Sequence, residues 1–183
     1  MMKKKKLHKT LLALMLVFIP PYFLVFTEEG NRVTDNAILW LFGQESLALN
    51  LAEADSSFTE NQVRDVFADL EWQCGAVQSP FGQTACNASI ASFNDLPARY
   101  VVMYFANDRL KAIKLGYREQ YHNALLRQLL ETLGQPGNAG SAASDAPDAD
   151  KVLQWNTGKG RVVVKKTLGE AEQPALLWLG SAQ

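Results

Sequence analysis

The chain has 183 residues, 48% of them hydrophobic and 20% charged, with a net charge of −1. Those proportions belong to a globular chain and exclude a low-complexity or disordered one. The charge is unevenly placed: Lys3, Lys4, Lys5, Lys6 and Lys9 stand at the start, and beyond Phe26 there remain 13 Lys and Arg against 19 Asp and Glu, net −6. A mildly acidic domain with no basic stripe in its sequence lacks the footprint of a nucleic-acid binder, so no nucleic-acid partner is expected.

The lysines read as a basic foot over residues 1–10, followed by an uncharged apolar run, Leu11 to Phe26. Sixteen helical residues reach roughly 24 Å, and Leu7 to Thr10 extend them toward the ~30 Å of a hydrocarbon core. The positive-inside rule then places the lysines in the cytoplasm and the rest of the chain outside. The expectation is a single-pass inner-membrane protein with a signal-anchor at 11–26 and its C-terminal part in the periplasm. A cleaved signal peptide is the alternative, with Leu11 to Ile19 as its apolar core. Tyr22-Phe23-Leu24-Val25-Phe26 puts bulky residues where a cleavage site needs small ones.

Residues 27–58 form a juxtamembrane segment. Thr34-Asp35-Asn36 offers caps for a short apolar helix, Ala37 to Phe42, with Gly43 as its stop. That helix either lies at the membrane surface or packs on the domain. Thr59-Glu60-Asn61-Gln62 has the pattern of a capping box, with Phe58 set to staple onto Val63. Val63, Val66, Phe67 and Leu70 recur at helical spacing, predicting a helix from Glu60 to Leu70. Cys74 and Cys86 are the two cysteines. In an oxidising compartment they read as one disulfide closing a short loop, with Ser79-Pro80-Phe81-Gly82 as the turn inside it.

Tyr100-Val101-Val102-Met103-Tyr104-Phe105 is the strongest strand signal, and Arg109 to Leu115 returns after Ala106-Asn107-Asp108 as a hairpin. His122, Leu125, Leu126, Leu129, Leu130 and Leu133 share a face of a second helix, Glu119 to Leu133, ended by Gly134 and Pro136. Asn138 to Asp150 reads as a mobile loop. Three strands close the chain: Lys151 to Asn156, Gly160 to Thr167, and Ala175 to Leu179.

Two units emerge, residues 59–117 and 118–183, each a helix followed by antiparallel strands with an early tryptophan (Trp72, Trp155). The fold class expected is α+β: an N-terminal transmembrane helix, then two helix-plus-strand units packed as a two-layer domain. The stretch Phe58-Thr59-Glu60-Asn61-Gln62-Val63-Arg64, with Tyr100 to Leu115 as the following hairpin, resembles small cell-envelope proteins of the β-barrel-assembly lipoprotein type and the related tandem fold of the β-lactamase inhibitor protein. The resemblance implies a non-catalytic scaffold whose sheet and loops bind other proteins. The lipid-attachment cysteine of that family is absent here.

No motif for nucleophilic, metal-dependent or phosphate chemistry is evident. No cofactor or metal is implied, and His122 is the only histidine beyond the apolar run. The functional expectation is a membrane-anchored, non-catalytic domain that captures an envelope or inner-membrane protein. The alternatives are a ligand-binding module built on Tyr100, Tyr104, Trp155 and Trp178, if these face outward, and an enzyme. Trp178 lies in the last strand, expected as an edge open to a partner strand.

Overall fold

A computed structural model describes residues 22, 27–41, 44–137, 152–169 and 172–181. The basic foot, the apolar run apart from Tyr22, and the expected loop 138–150 lie outside those residues. In chain order the elements are α1 (Glu28–Leu41), β1 (Ser46–Leu47), α2 (Glu60–Val66), β2 (Gln73–Ser79), β3 (Gly82–Ser89), β4 (Ser92–Phe93), β5 (Leu96–Ala106) and β6 (Arg109–Tyr117). After a 3₁₀ turn at Glu119–Tyr121 come α3 (His122–Leu133), β7 (Val152–Asn156), β8 (Gly160–Lys165) and β9 (Ala175–Gly180).

The fold departs from the expected class. Strand dominates, in one nine-stranded sheet, in place of two helix-plus-strand units behind a transmembrane helix. The reason is the β6–β9 pairing, Ala112↔Leu179 through Gly116↔Ala175, which fuses the two halves edge to edge. The main order is β2-β3-β5-β6-β9-β8-β7, all antiparallel. β4 pairs with the start of β5, and β1 extends β4 in parallel. β9 is therefore an interior strand between β6 and β8, not the expected edge.

Among the described residues no helix is long and apolar enough to cross a membrane. The longest described helix, α1, has 14 residues, about 21 Å, and carries Glu28, Glu29, Arg32 and Asp35. The single-pass anchor expected at 11–26 falls, Tyr22 apart, outside the described residues, and among the described residues nothing supports it or the inner-membrane placement built on it. The helix expected at Ala37 instead starts at Glu28 and runs through Thr34-Asp35-Asn36. Thr27 Oγ1 caps it by accepting from Gly30 N, and the Thr34 hydroxyl donates back to the Gly30 carbonyl, so this threonine sits inside the helix.

The core lies on one face of the sheet. Val101, Met103 and Phe105 of β5, Ile113 and Leu115 of β6, Leu176 and Trp178 of β9, and Val162 and Val164 of β8 all point there. Val63 of α2 and Leu125 and Leu129 of α3 complete it. The capping box at Thr59 and Gln62 holds the start of α2. Two tryptophans tie helix ends to the sheet in parallel fashion. The Trp72 indole N–H donates to the carbonyl of Phe67, which caps α2 (3.1 Å), and that of Trp155 to the carbonyl of Gly134, which caps α3 (2.8 Å). Gly134 adopts φ 80, a left-handed conformation that ends the helix at little cost for glycine. The β5–β6 hairpin turns on Asn107 and Asp108, both at positive φ, as a two-residue loop of this kind requires.

Candidate functional site

Strand alternation that sends one set of side chains into the core sends the other set to the opposite face. Two rows run across that face. The first is Asn87, Val102, Lys114, Leu177, Val163 and Gln154, each paired to the next across neighbouring strands. The second is Ala85, Tyr104, Ala112, Leu179, Arg161 and Asn156. Val102, Tyr104, Leu177, Leu179 and Val163 are all half-buried, left partly open while α2 and α3 pack on the other side. At one end of the face Tyr100 lies over Gly116, where a Cβ would strike its ring. Beyond that end Arg118 pairs with Asp35 of α1 at 2.8 Å.

The charge on the sheet has one sign. The nine strands hold Arg99, Arg109, Lys111, Lys114, Arg161 and Lys165, and no Asp or Glu. Lys165 is paired with Glu172, while none of the other five forms a salt bridge among the described residues. Since the chain beyond Phe26 is acidic overall, its negative charge sits on helices and loops.

The sequence-predicted residues scatter across this architecture. Cys74 and Cys86 form the disulfide, opposite one another on β2 and β3. Tyr100 and Tyr104 are on the open face, Tyr104 tilted against Phe81 with ring centroids 5.5 Å apart. Trp155 and Trp178 are 1% and 0% exposed, on the core side. The four aromatics therefore do not form one platform, because a strand shows alternate residues to alternate faces and these tryptophans have the core parity. The stretches Tyr100 to Leu115 and Ala175 to Leu179 hold Val102, Lys114, Leu177 and Leu179, but the sequence neither singles these out nor joins them to Val163; only the register of non-local strands brings the five together.

His122 is 8% exposed beneath the sheet. Its Nε2 lies 3.2 Å from the Lys166 carbonyl and its Nδ1 2.8 Å from the Tyr117 hydroxyl. The carbonyl only accepts, so Nε2 donates to it, and in the neutral imidazole Nδ1 then accepts from Tyr117. Both ring nitrogens are thus engaged in holding β6, α3 and the segment after β8 together. Burial pushes the Tyr117 phenol up to about 12. Burial, then donation to the Asp35 carboxylate, does the same for Tyr121, also to about 12. Glu60, Cys74 and Cys86 lie close enough to suggest metal ligands, but both sulfurs are bonded to each other and offer no thiolate.

No family model, no curated protein and no solved structure matches this chain.

Proposed function

We propose that this chain is a non-catalytic binding domain of an oxidising compartment that works by protein contact through the open face of its sheet. The observation that carries the reading is that face itself: Val102, Tyr104, Val163, Leu177 and Leu179 remain half-open on rigid, centrally placed strands. An antiparallel sheet tolerates water on one side when that side is polar. Here its middle is aliphatic and aromatic around a single cation, Lys114, the composition of a surface that is covered during work. The disulfide supports the compartment, since such bonds persist where the surroundings are oxidising. The resemblance of Phe58 to Arg64 and Tyr100 to Leu115 to envelope proteins that act by binding other proteins points the same way.

Val102→Asp and Leu177→Asp place a charge in the middle of the face without touching the core. Each is expected to abolish recovery of the cross-linked partner while the melting temperature stays within a few degrees of the parent. Leu130→Asp, on the exposed side of α3, should leave recovery intact. Equal recovery from all three variants would overturn the assignment.

A further inference from the structure

The open face ends in a groove of about 520 Å³ between the β2–β3 turn and the ends of β6, β8 and β9. Lys111 and Arg161 stand on it as cations, Phe81 and Leu179 supply its apolar surface, and no Asp or Glu lines it. Arg161 pairs directly across the sheet with Leu179, and Leu179 with Ala112, so the groove is built on three adjoining strands. Neither cation has a salt bridge among the described residues. Lys114 continues the positive charge inward between Val102 and Leu177.

Resting on the protein-contact reading, we infer that the face selects an acidic polypeptide segment that presents Asp or Glu together with bulky apolar side chains on one side of an extended chain. The carboxylates meet Lys111, Arg161 and Lys114, and the apolar groups cover Leu179, Leu177 and Val102. Charge complementarity carries the choice: a guanidinium and ammonium left unpaired beside apolar surface favour a carboxylate-bearing partner and disfavour a basic one. The net charge of −6 beyond Phe26 opposes an acidic partner at a distance. Salt screens that repulsion beyond about 8 Å, whereas the contacts in the groove act at closer range. An apolar floor between two cations also suits a side-chain carboxylate better than a continuous phosphate backbone, which would need a longer basic track.

The test uses the full-length protein against arrayed peptides that carry Asp or Glu and Leu, Ile or Phe in turn at every second position, with Ser between, so that both kinds fall on one side of an extended chain. Matched arrays carry Asn or Gln, and Lys or Arg, at the acidic positions. The acidic peptides should bind, the amide versions roughly tenfold more weakly, and the basic ones not at all. Lys111→Glu combined with Arg161→Glu should remove acidic-peptide binding with the melting temperature unchanged, and should raise affinity for the basic set. Equal binding of acidic and amide peptides at the face, still lost in Leu177→Asp, would overturn the acidic preference and leave the protein-contact reading standing. Failure of every peptide together with unimpaired partner recovery by Leu177→Asp would overturn both. Tighter binding to phosphatidylglycerol vesicles or to single-stranded oligonucleotides than to any peptide would replace the polypeptide partner by a lipid or nucleic-acid one.

Discussion

At the scale of single residues, the buried phenols and the imidazole of this domain are engaged in holding secondary structure together. Tyr117 illustrates it: the phenol is buried, hydrogen-bonds His122 Nδ1, and shares with that imidazole a nearly parallel stacking arrangement. Ionising it would put a charge in the core and remove the donor that His122 needs. The same holds for Tyr121, whose hydroxyl donates to Asp35 at 2.7 Å. Both phenols are raised to about 12 in the fold, against about 10 in an unfolded chain. A folded value above the unfolded one means the folded state holds its proton more tightly, so this part of the stability is complete below about pH 10 and is lost as pH rises toward about 12. The urea midpoint should accordingly stay flat up to about pH 10 and then fall, and Tyr117→Phe should flatten part of that fall. A midpoint that does not move across this window would show that neither phenol is buried as described.

At the scale of elements, β2 is the weakest of the longer strands. It pairs with β3 alone, five of its seven residues are exposed, and its register slips between Ala76 and Ser79. The Cys74–Cys86 bond fastens it to a strand that is itself fixed by β5, with Cys86 fully buried against the core. Restricting a loop this short in the unfolded chain is worth roughly 3 kcal/mol. Cys74→Ser should lower stability by roughly 2–4 kcal/mol under oxidising conditions and speed amide exchange in β2 before any other strand. Two titratable thiols in the folded, air-exposed parent would contradict the pairing. Local signals of this kind were legible in the sequence: the capping box at Thr59, the Tyr100–Leu115 hairpin, the helix ending at Gly134 and the cysteine pair all rest on neighbours close along the chain. The start of α1 was not, because Thr34 and Asp35 look like caps until Thr34 is seen bonding backward and Asp35 reaching Arg118 and Tyr121.

At the scale of the whole molecule, the decisive step is the β6–β9 pairing, between strands about sixty residues apart. No local pattern specifies which strand becomes the neighbour of which, so two plausible units were legible and their fusion into one sheet was not. The same step assembles the candidate site. Lys114, Leu177 and Val163 are unremarkable separately and become one row only when β6, β9 and β8 adjoin. Charge is also separated: the strands are basic, while Glu45, Asp69 and Glu71 line a cleft that adjoins the open face at Asn87 of β3. The alternation of buried and open residues along β9 explains why Trp178, a tempting surface aromatic in the sequence, ends in the core beside Ile113 and Val162, and why the leucines on either side of it do not.

The central claim, that the open sheet face is where this protein meets its partner, is tested most directly by photocrosslinking in the cells that make it. A photoreactive residue replaces Leu177 in the middle of the face, and in a separate variant Leu130 on the exposed side of α3. The account predicts a discrete protein adduct from position 177, lost when Val102→Asp is added, and no such adduct from position 130. An adduct from position 130 with none from position 177 would contradict it.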